Sequence, residues 1–506
     1  MDYQNRIKNP HLLDRVMSAE EAINYIKNGM SIGFSGFTSS GDPKVIPVTL
    51  AEQAKKEGQP FKINVYTGAS VGPEIDTVLA EAGIVGLRLP FQSDKHTRNE
   101  INKGNIDYLD PHLSDTADMI RDQVISIDVA VVEAIAITEE GYIVPTTSGG
   151  NNCIFIENAK EVLVELNLAQ VPELEGFHDV YNPGPHEGWQ PIPLTAVDQR
   201  IGTPYIKVDP EKIKGIVITD QIDTPKSLVE PDEDTKKIAN HLINFLREQI
   251  KAGKLPEPLP PLQSGVGSVA NAVFYGFLDS EFKDLTLYSE VLQDAVIDCI
   301  DADKIRFASG GAFTLSKEKM DHVFGNLENY RDKIVLRPQE ISNNPEVARR
   351  LGLITMNTAL EFDIYGNVNS THVIGTKMMN GIGGSGDFTR SARIAIFVTK
   401  SVAKDGKISS VVPFVSHVDH IEHDVDVLIT EQGVADLRGL TPRQRALVII
   451  ENCAHPSYRP QLYDYYYEAL TRGGHTPHVM EKALSWYVNF EKNGTMLEEA
   501  DIKVKI

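Results

Sequence analysis

The chain repeats itself, and any fold must accommodate that repeat. From Ser31 it reads SIGFSGFTSSGDPKVIPVTLAEQAKKEGQPFKINVYTGASVG, and from Leu262 it reads LQSGVGSVANAVFYGFLDSEFKDLTLYSEVLQDAV. Each passage opens on small residues and glycines, Gly33 and Gly36 in one and Gly265 and Gly267 in the other. Each continues into a stretch with helical character, 43–56 and 268–278, and then an apolar strand. The strands end alike, Tyr66-Thr67-Gly68 against Tyr288-Ser289-Glu290. A second pair follows. VAVVEAIAITEEGYIVPTTSGG (129–150) matches NTALEFDIYGNVNSTHVIG (357–375) in strand, glycine turn (Gly141, Gly366) and second strand. Each copy then reaches a double glycine, Gly149-Gly150 or Gly383-Gly384, and another strand, 161–167 or 393–400. Strands alternating with helices predict an α/β class with mainly parallel sheets and flanking helices. The duplication predicts two such domains, with the active site expected in the cleft between them, where ligands are commonly held.

The expected boundary falls near residue 228, giving domains 1–228 and 229–506. Residues 232–253 read as an amphipathic helix, with Ile238, Leu242, Phe245, Leu246 and Ile250 on one face. The proline-rich link KLPEPLPPLQ (254–263) cannot continue that helix. A second irregular stretch, 180–205, is rich in proline and glycine and reads as a surface excursion or flap.

The two strands end alike except at one position: Gly68 in the first copy is Glu290 in the second. The carboxyl ends of parallel strands are where such sheets hold their ligands. A glutamate at a loop start is ordinarily just solvated. Here it lies between the apolar LTLYS and the amphipathic VLQDAVIDCI, which points to a functional carboxylate.

Composition bounds the alternatives. The net charge of −22 makes nucleic acid a poor partner, because phosphate-backbone binding needs clustered Lys and Arg. No apolar run approaches the roughly 20 residues of a membrane helix, and MDYQNRIKNPHLLDRV lacks the apolar centre of a secretory signal. Cys153, Cys299 and Cys453 are too far apart for a CxxC, which fits a reducing cytoplasm. Cys299 reads as core. SHVDHIEHDVD spaces His417, His420 and His423 three apart, yet structural hydrogen bonding is the expected role and no metal is assigned.

YSEVLQDAVIDCID resembles the glutamate motif of the class I CoA-transferases, and QSGVGSVANAV (263–273) resembles their glycine loop. GNVNSTHVIGTKMMNGIGGSGDFTRSA (366–392) and VSHVDHIEHDVDVLITEQGVADLRGLTPRQRA (415–446) look like the acetyl-CoA hydrolase/transferase family within that class. The likeness runs through the first half as well. It implies an acyl-CoA:carboxylate CoA-transferase, with acetate as one acid and succinyl-CoA or another short acyl-CoA as donor. Glu290 would be the nucleophile, working through a glutamyl-CoA thioester. Glu431 and Asn343 are implied as catalytic partners, Asn343 orienting Glu290 by an amide hydrogen bond, although its place before Pro345 also suits a helix N-cap. Val266 and Gly267 from one glycine loop, and Gly384 and Gly386 from the other, are the candidates for oxyanion and CoA binding. Lys404 is the candidate for a CoA phosphate, with Lys377 and Arg390 as neighbours of the double glycine. No cofactor is implied beyond CoA and acyl-CoA as substrates. A homodimer is the base-rate assembly.

Three other readings compete. A thioester hydrolase would use the same glutamate with water as acceptor. A non-catalytic CoA sensor would have no use for Glu290 or GIGGSGDF. A nicotinamide oxidoreductase needs GxGxxG, and GVGSVA lacks the third glycine.

Overall fold

The computed structural model describes residues 3–227 and 230–498. In the first copy the strands are β1 (Ser31–Phe34), β2 (Ile63–Tyr66), β3 (Val85–Leu89), β4 (Asp107–Tyr108), β5 (Val129–Ala134), β6 (Glu161–Asn167) and β7 (Ile213–Thr219). They form one sheet in the order β4-β3-β2-β1-β5-β6-β7. All its pairings are parallel. A parallel sheet is covered on both faces, so its strands are apolar on both sides. Along β5, Val129 and Val131 pack into one core with Ile32, Phe34 and Leu50. Ala130 and Val132, between them, pack into the other with Val164 and Phe155.

Helix α1 (Ile46–Glu57) follows β1. It starts three residues later than the predicted 43–56. Its first amides are tied to Glu165 on β6, whose carboxylate accepts N–H bonds from Lys44 at 2.7 Å, Val45 at 2.9 Å and Ile46 at 2.6 Å. A carboxylate in this position caps the helix and complements its dipole.

The second copy supplies α2 (Glu233–Lys251), β8 (Leu262–Ser264), α3 (Ser268–Asp279), β9 (Leu285–Tyr288), β10 (Val291–Leu292), α4 (Asp294–Asp301), β11 (Ile305–Gly310), β12 (Ala312–Phe313) and β13 (Ile334–Leu336). The chain goes on through α5 (Gln339–Ser342), α6 (Pro345–Leu351), β14 (Ile354–Thr358), α7 (Ser385–Thr389), β15 (Ile394–Val398), β16 (Val427–Thr430) and β17 (Gly433–Asp436).

The chain divides into two compact units. One comprises Met1–Leu228, Thr286–Ile300 and Ile305–Leu351. The other comprises Val229–Leu285, Asp301–Lys304 and Gly352–Ile506. Within the first unit, β13, β11 and β9 lie side by side in that order, as β4, β3 and β2 do. Within the second, the order β8-β14-β15-β16 repeats β1-β5-β6-β7, with β17 added antiparallel at the edge. The repeat read in the sequence is therefore a repeat of strand order.

The excursion at 180–205 carries no helix, only an isolated bridge between Val180 and Thr203. It is pinned to the first unit by Arg337. That fully buried guanidinium pairs with Asp179 and donates to Ser309 Oγ at 2.8 Å and to the Gln199 carbonyl at 2.6 Å. The second unit builds its own core around Phe362, Leu428, Ile449, Tyr458 and Trp486. No helix among the described residues is long and apolar enough to cross a membrane.

Candidate active site

Strand β9 reads LTLY and is buried throughout. Ser289 N donates to the Ser309 carbonyl at 2.9 Å, continuing the register with β11 beyond the strand's end. Glu290 follows and is only 6% exposed. Its main chain is clamped: the carbonyl accepts N–H bonds from Gly311 at 2.6 Å and Ala312 at 3.2 Å. Immediately after it, β10 pairs in parallel with β12. A Cβ at Gly311 would stand 3.0 Å from the Glu290 carbonyl and 3.3 Å from Ser342 Oγ, so the backbone packs closely here.

The carboxylate is oriented by an amide. Asn343 Nδ2 donates to Glu290 Oε1 at 2.7 Å. Ser342 Oγ in turn donates to Asn343 Oδ1 at 2.9 Å, which fixes the amide with its N–H₂ toward the glutamate. Asn343 is fully buried at the C-terminal end of α5. The N-cap role that the sequence also allowed it belongs to Asn344, whose Oδ1 accepts from Glu346 N at 3.0 Å and Val347 N at 3.3 Å. The turn of α5 is held further by Tyr288, whose hydroxyl donates to the Ile341 carbonyl. Glu340 pairs with Arg121 at 2.6 Å. Burial pushes the Glu340 carboxyl up to about 7 against the pull of Arg121. Ser342 and Arg337 escaped sequence reading, and no local signal marks either.

The remaining candidates lie in the second unit. Glu431 directly follows β16 and is 9% exposed. Its carboxylate accepts from Ser401 N at 2.8 Å, from Ser401 Oγ, and from Gln432 Nε2 at 3.0 Å. Burial raises this carboxyl, but the hydrogen bonds from Ser401 and Gln432 outweigh it and hold it below the ordinary glutamate value. Gly384 is buried at the N-cap of α7, and Gly386 lies in that helix's first turn. Ser385 Oγ of the same turn lies 3.0 Å from His420 Nε2. Gly267 has φ +116° at the start of α3, with Val266 beside it and 42% exposed. Lys404 is exposed, and its ammonium lies 5.1 Å from the centre of the Phe490 ring. His417 Nε2 lies 3.3 Å from Asp419. Among the described residues no group of three or more His, Cys, Asp or Glu could hold a metal ion.

This arrangement presents a carboxylate on a clamped backbone, with one oxygen held by a fixed amide. A group of that kind is suited to nucleophilic attack, because its orientation is set before substrate arrives. Comparison with known proteins gives the family of the chain. The N-terminal domain of the acetyl-CoA hydrolase/transferase family matches residues 1–218, and its C-terminal domain matches residues 320–466. The chain belongs to the acetyl-CoA hydrolase/transferase family.

It is 51% identical over 495 residues to the succinyl-CoA:acetate CoA-transferase of Clostridium kluyveri, covering 97% of this chain and 92% of that one. It is 42% identical to the propanoyl-CoA:succinate CoA transferase of Escherichia coli, over 95% of this chain and 98% of that one. It is also 42% identical to the acetyl-CoA hydrolase of Schizosaccharomyces pombe, over 97% of this chain and 98% of that one. Among solved structures, RipA from Yersinia pestis superposes with a TM-score of 0.72 at 18% identity, covering 93% of this chain and all of that one. A 4-hydroxybutyrate CoA-transferase from Porphyromonas gingivalis gives 0.62 at 22% identity over the same shares. These two share the fold. The protein is an enzyme of its family, with a mixed α/β architecture dominated by parallel strands.

Proposed function

We propose that this protein is an acyl-CoA:carboxylate CoA-transferase that takes acetate as one acid and succinyl-CoA or another short acyl-CoA as donor. The observation that carries the reading is the Glu290 carboxylate, held at the end of β9 by the Asn343 amide. The identity to a succinyl-CoA:acetate CoA-transferase over nearly the whole chain supports the choice of acids.

In this reading Glu290 attacks the donor thioester carbonyl. The C–S bond breaks, leaving an acyl-glutamyl anhydride and CoA thiolate. The thiolate attacks the glutamyl carbonyl, the donor acid leaves as a carboxylate, and Glu290 carries CoA as a thioester. An acceptor carboxylate then reverses the two steps. The thioester consumed and the thioester formed are of similar energy, so the thioester is conserved without ATP. The tetrahedral intermediates carry an oxyanion that needs fixed donors. The backbone N–H groups at Gly384 and Val266 are proposed for that role, with Gly267 and Gly386 shaping the two loops. Glu431 is proposed as a second catalytic carboxylate and Lys404 as a CoA phosphate contact. CoA, acyl-CoA and small carboxylic acids are then the only small molecules required. A cytoplasmic homodimer completes the reading, supported by three buried free cysteines and by the prevalence of two-fold assemblies.

The test is to incubate the protein with acetyl-CoA without acceptor acid, reduce with sodium borohydride, and weigh the peptide that contains Glu290. A glutamyl thioester is reduced to an alcohol, so the peptide loses an oxygen and gains two hydrogens. An unmodified Glu290 in protein that consumes acyl-CoA would overturn the nucleophile and favour direct attack by water. Acyl-CoA consumption that needs no carboxylate acceptor would shift the reading to the hydrolases of the same family.

A further inference from the structure

The first copy has its own loop after β1, SGFTSSGDPK (35–44), which the proposed chemistry does not use. Asp42 in it is 1% exposed, and among the described residues neither of its carboxylate oxygens has a hydrogen-bond partner. The nearest cation is committed elsewhere. Lys44 Nζ donates to Glu133 at 2.7 Å, to Asp223 at 2.9 Å and to the Asp42 backbone carbonyl at 2.5 Å, which accounts for its three protons. Lys226 Nζ donates to Ser39 Oγ at 2.9 Å. A Cβ at Gly72 would stand 2.4 Å from Asp42 Oδ2 and 2.6 Å from Glu74 Oε2, so two carboxyl oxygens converge on one point.

Asp42 as an anion would thus be buried without a donor, facing Glu74 from the loop after β2, Glu133 from β5 and Asp223 from the segment after β7. Lys44 in its own loop and Lys226 oppose them. An unpaired buried charge is costly, and a carboxyl group in that position takes up a proton instead. Burial, opposed by Lys44, pushes the Asp42 carboxyl up to about 8.

The same loop braces the strands behind Glu290. Ser40 Oγ donates to the Phe313 carbonyl, and the hydroxyls of Thr38 and Thr314 are hydrogen-bonded. Phe313 belongs to β12, which pairs with β10, and Thr314 N donates to the Leu292 carbonyl at 2.9 Å. We propose that Asp42 is a positioning residue: held as a neutral acid with its proton directed at Glu74, it locks the loop that braces β12 and β10, and so Glu290. When the proton passes to solvent, two carboxylates face each other across Gly72 and the brace loosens.

The activity arm of the test rests on the CoA-transferase reading; the stability arm does not. Wild-type kcat falls about fivefold from pH 8 to pH 9, with little change in the KM for acyl-CoA. Asp42→Asn supplies a neutral side chain of the same shape, and its kcat holds across that range. The folded Asp42 carboxyl binds its proton more tightly than the unfolded one. The stability it confers is therefore complete below about pH 4, is lost as pH rises to about 8, and then levels. The melting temperature of wild type relative to D42N should fall across that window. Glu74→Gln removes the facing charge, so both transitions move to lower pH. Identical pH profiles of kcat and melting temperature in wild type, D42N and E74Q would overturn the proposal. If no acyl-CoA is turned over at any pH, the CoA-transferase reading fails, and the melting curves alone decide the role of Asp42. If D42N does not fold, the displacement in E74Q decides it.

Discussion

Glu290→Gln keeps the volume of the side chain and an oxygen to accept the Asn343 amide, but removes the nucleophile. Transfer should fall by about 10³-fold or more, and no thioester should be trapped, while the melting curve stays close to wild type. Asn343→Ala leaves the nucleophile but frees its orientation. Loss of a positioning contact costs on the order of 10² in kcat, and the borohydride-reduced peptide should still appear, at a slower rate. Ser342→Ala removes the hydroxyl that fixes the amide, and a loss of about tenfold in kcat is expected from one hydrogen bond. Steady-state transfer assays with each variant check all three. Glu290 stood out in the sequence because it follows an apolar strand in one copy where the other copy has Gly68. Asn343 was legible by resemblance. Ser342 was not, because a serine beside an asparagine has no meaning until α5 turns its hydroxyl onto that amide.

The elements around the site were legible to different depths. The strand over 161–167 is found at those residues, because an uninterrupted apolar run in a parallel sheet has few other places to go. The start of α1 was missed by three residues because it is set by Glu165, far away in sequence. The double glycine Gly149-Gly150 was read as one mark of the repeat. Gly149 also allows a close approach, since a Cβ there would stand 2.2 Å from the Arg337 carbonyl. Gly149→Ala must push that backbone away and should destabilise the protein by about 1–3 kcal/mol, read as a lower urea midpoint. Arg337 itself holds the 180–205 excursion through Asp179. Arg337→Ala strands a buried carboxylate and should cost about 3–5 kcal/mol. The double variant R337M/D179N removes both charges and should recover part of that loss in the same urea titration. Equal stability of the single and double variants would mean that the ion pair is not what fixes the excursion.

At the scale of the whole molecule, duplication was the strongest signal in the sequence, and it reappears as two matching strand orders. The grouping of Thr286–Ile300 and Ile305–Leu351 with the N-terminal residues was not legible, since no composition change marks it. Net charge was legible from the start, and it bears on kinetics. A chain with a formal charge of −22 must take up CoA, which carries several phosphate charges. At roughly 0.01 M salt the Debye length is about 30 Å, and at 0.15 M it is about 8 Å, so long-range repulsion is screened between these conditions. We therefore expect kcat/KM for acyl-CoA to rise over that range, kcat/KM for acetate, with a single charge, to rise less, and kcat to stay level. Stopped-flow or initial-rate measurements over a salt series check this. A fall in kcat/KM for acyl-CoA would instead mean that a local cationic group outweighs the net charge during encounter. Lys404→Gln is then the decisive variant: if it flattens the salt dependence, Lys404 meets a CoA phosphate, and if the slope persists, the steering charge lies elsewhere.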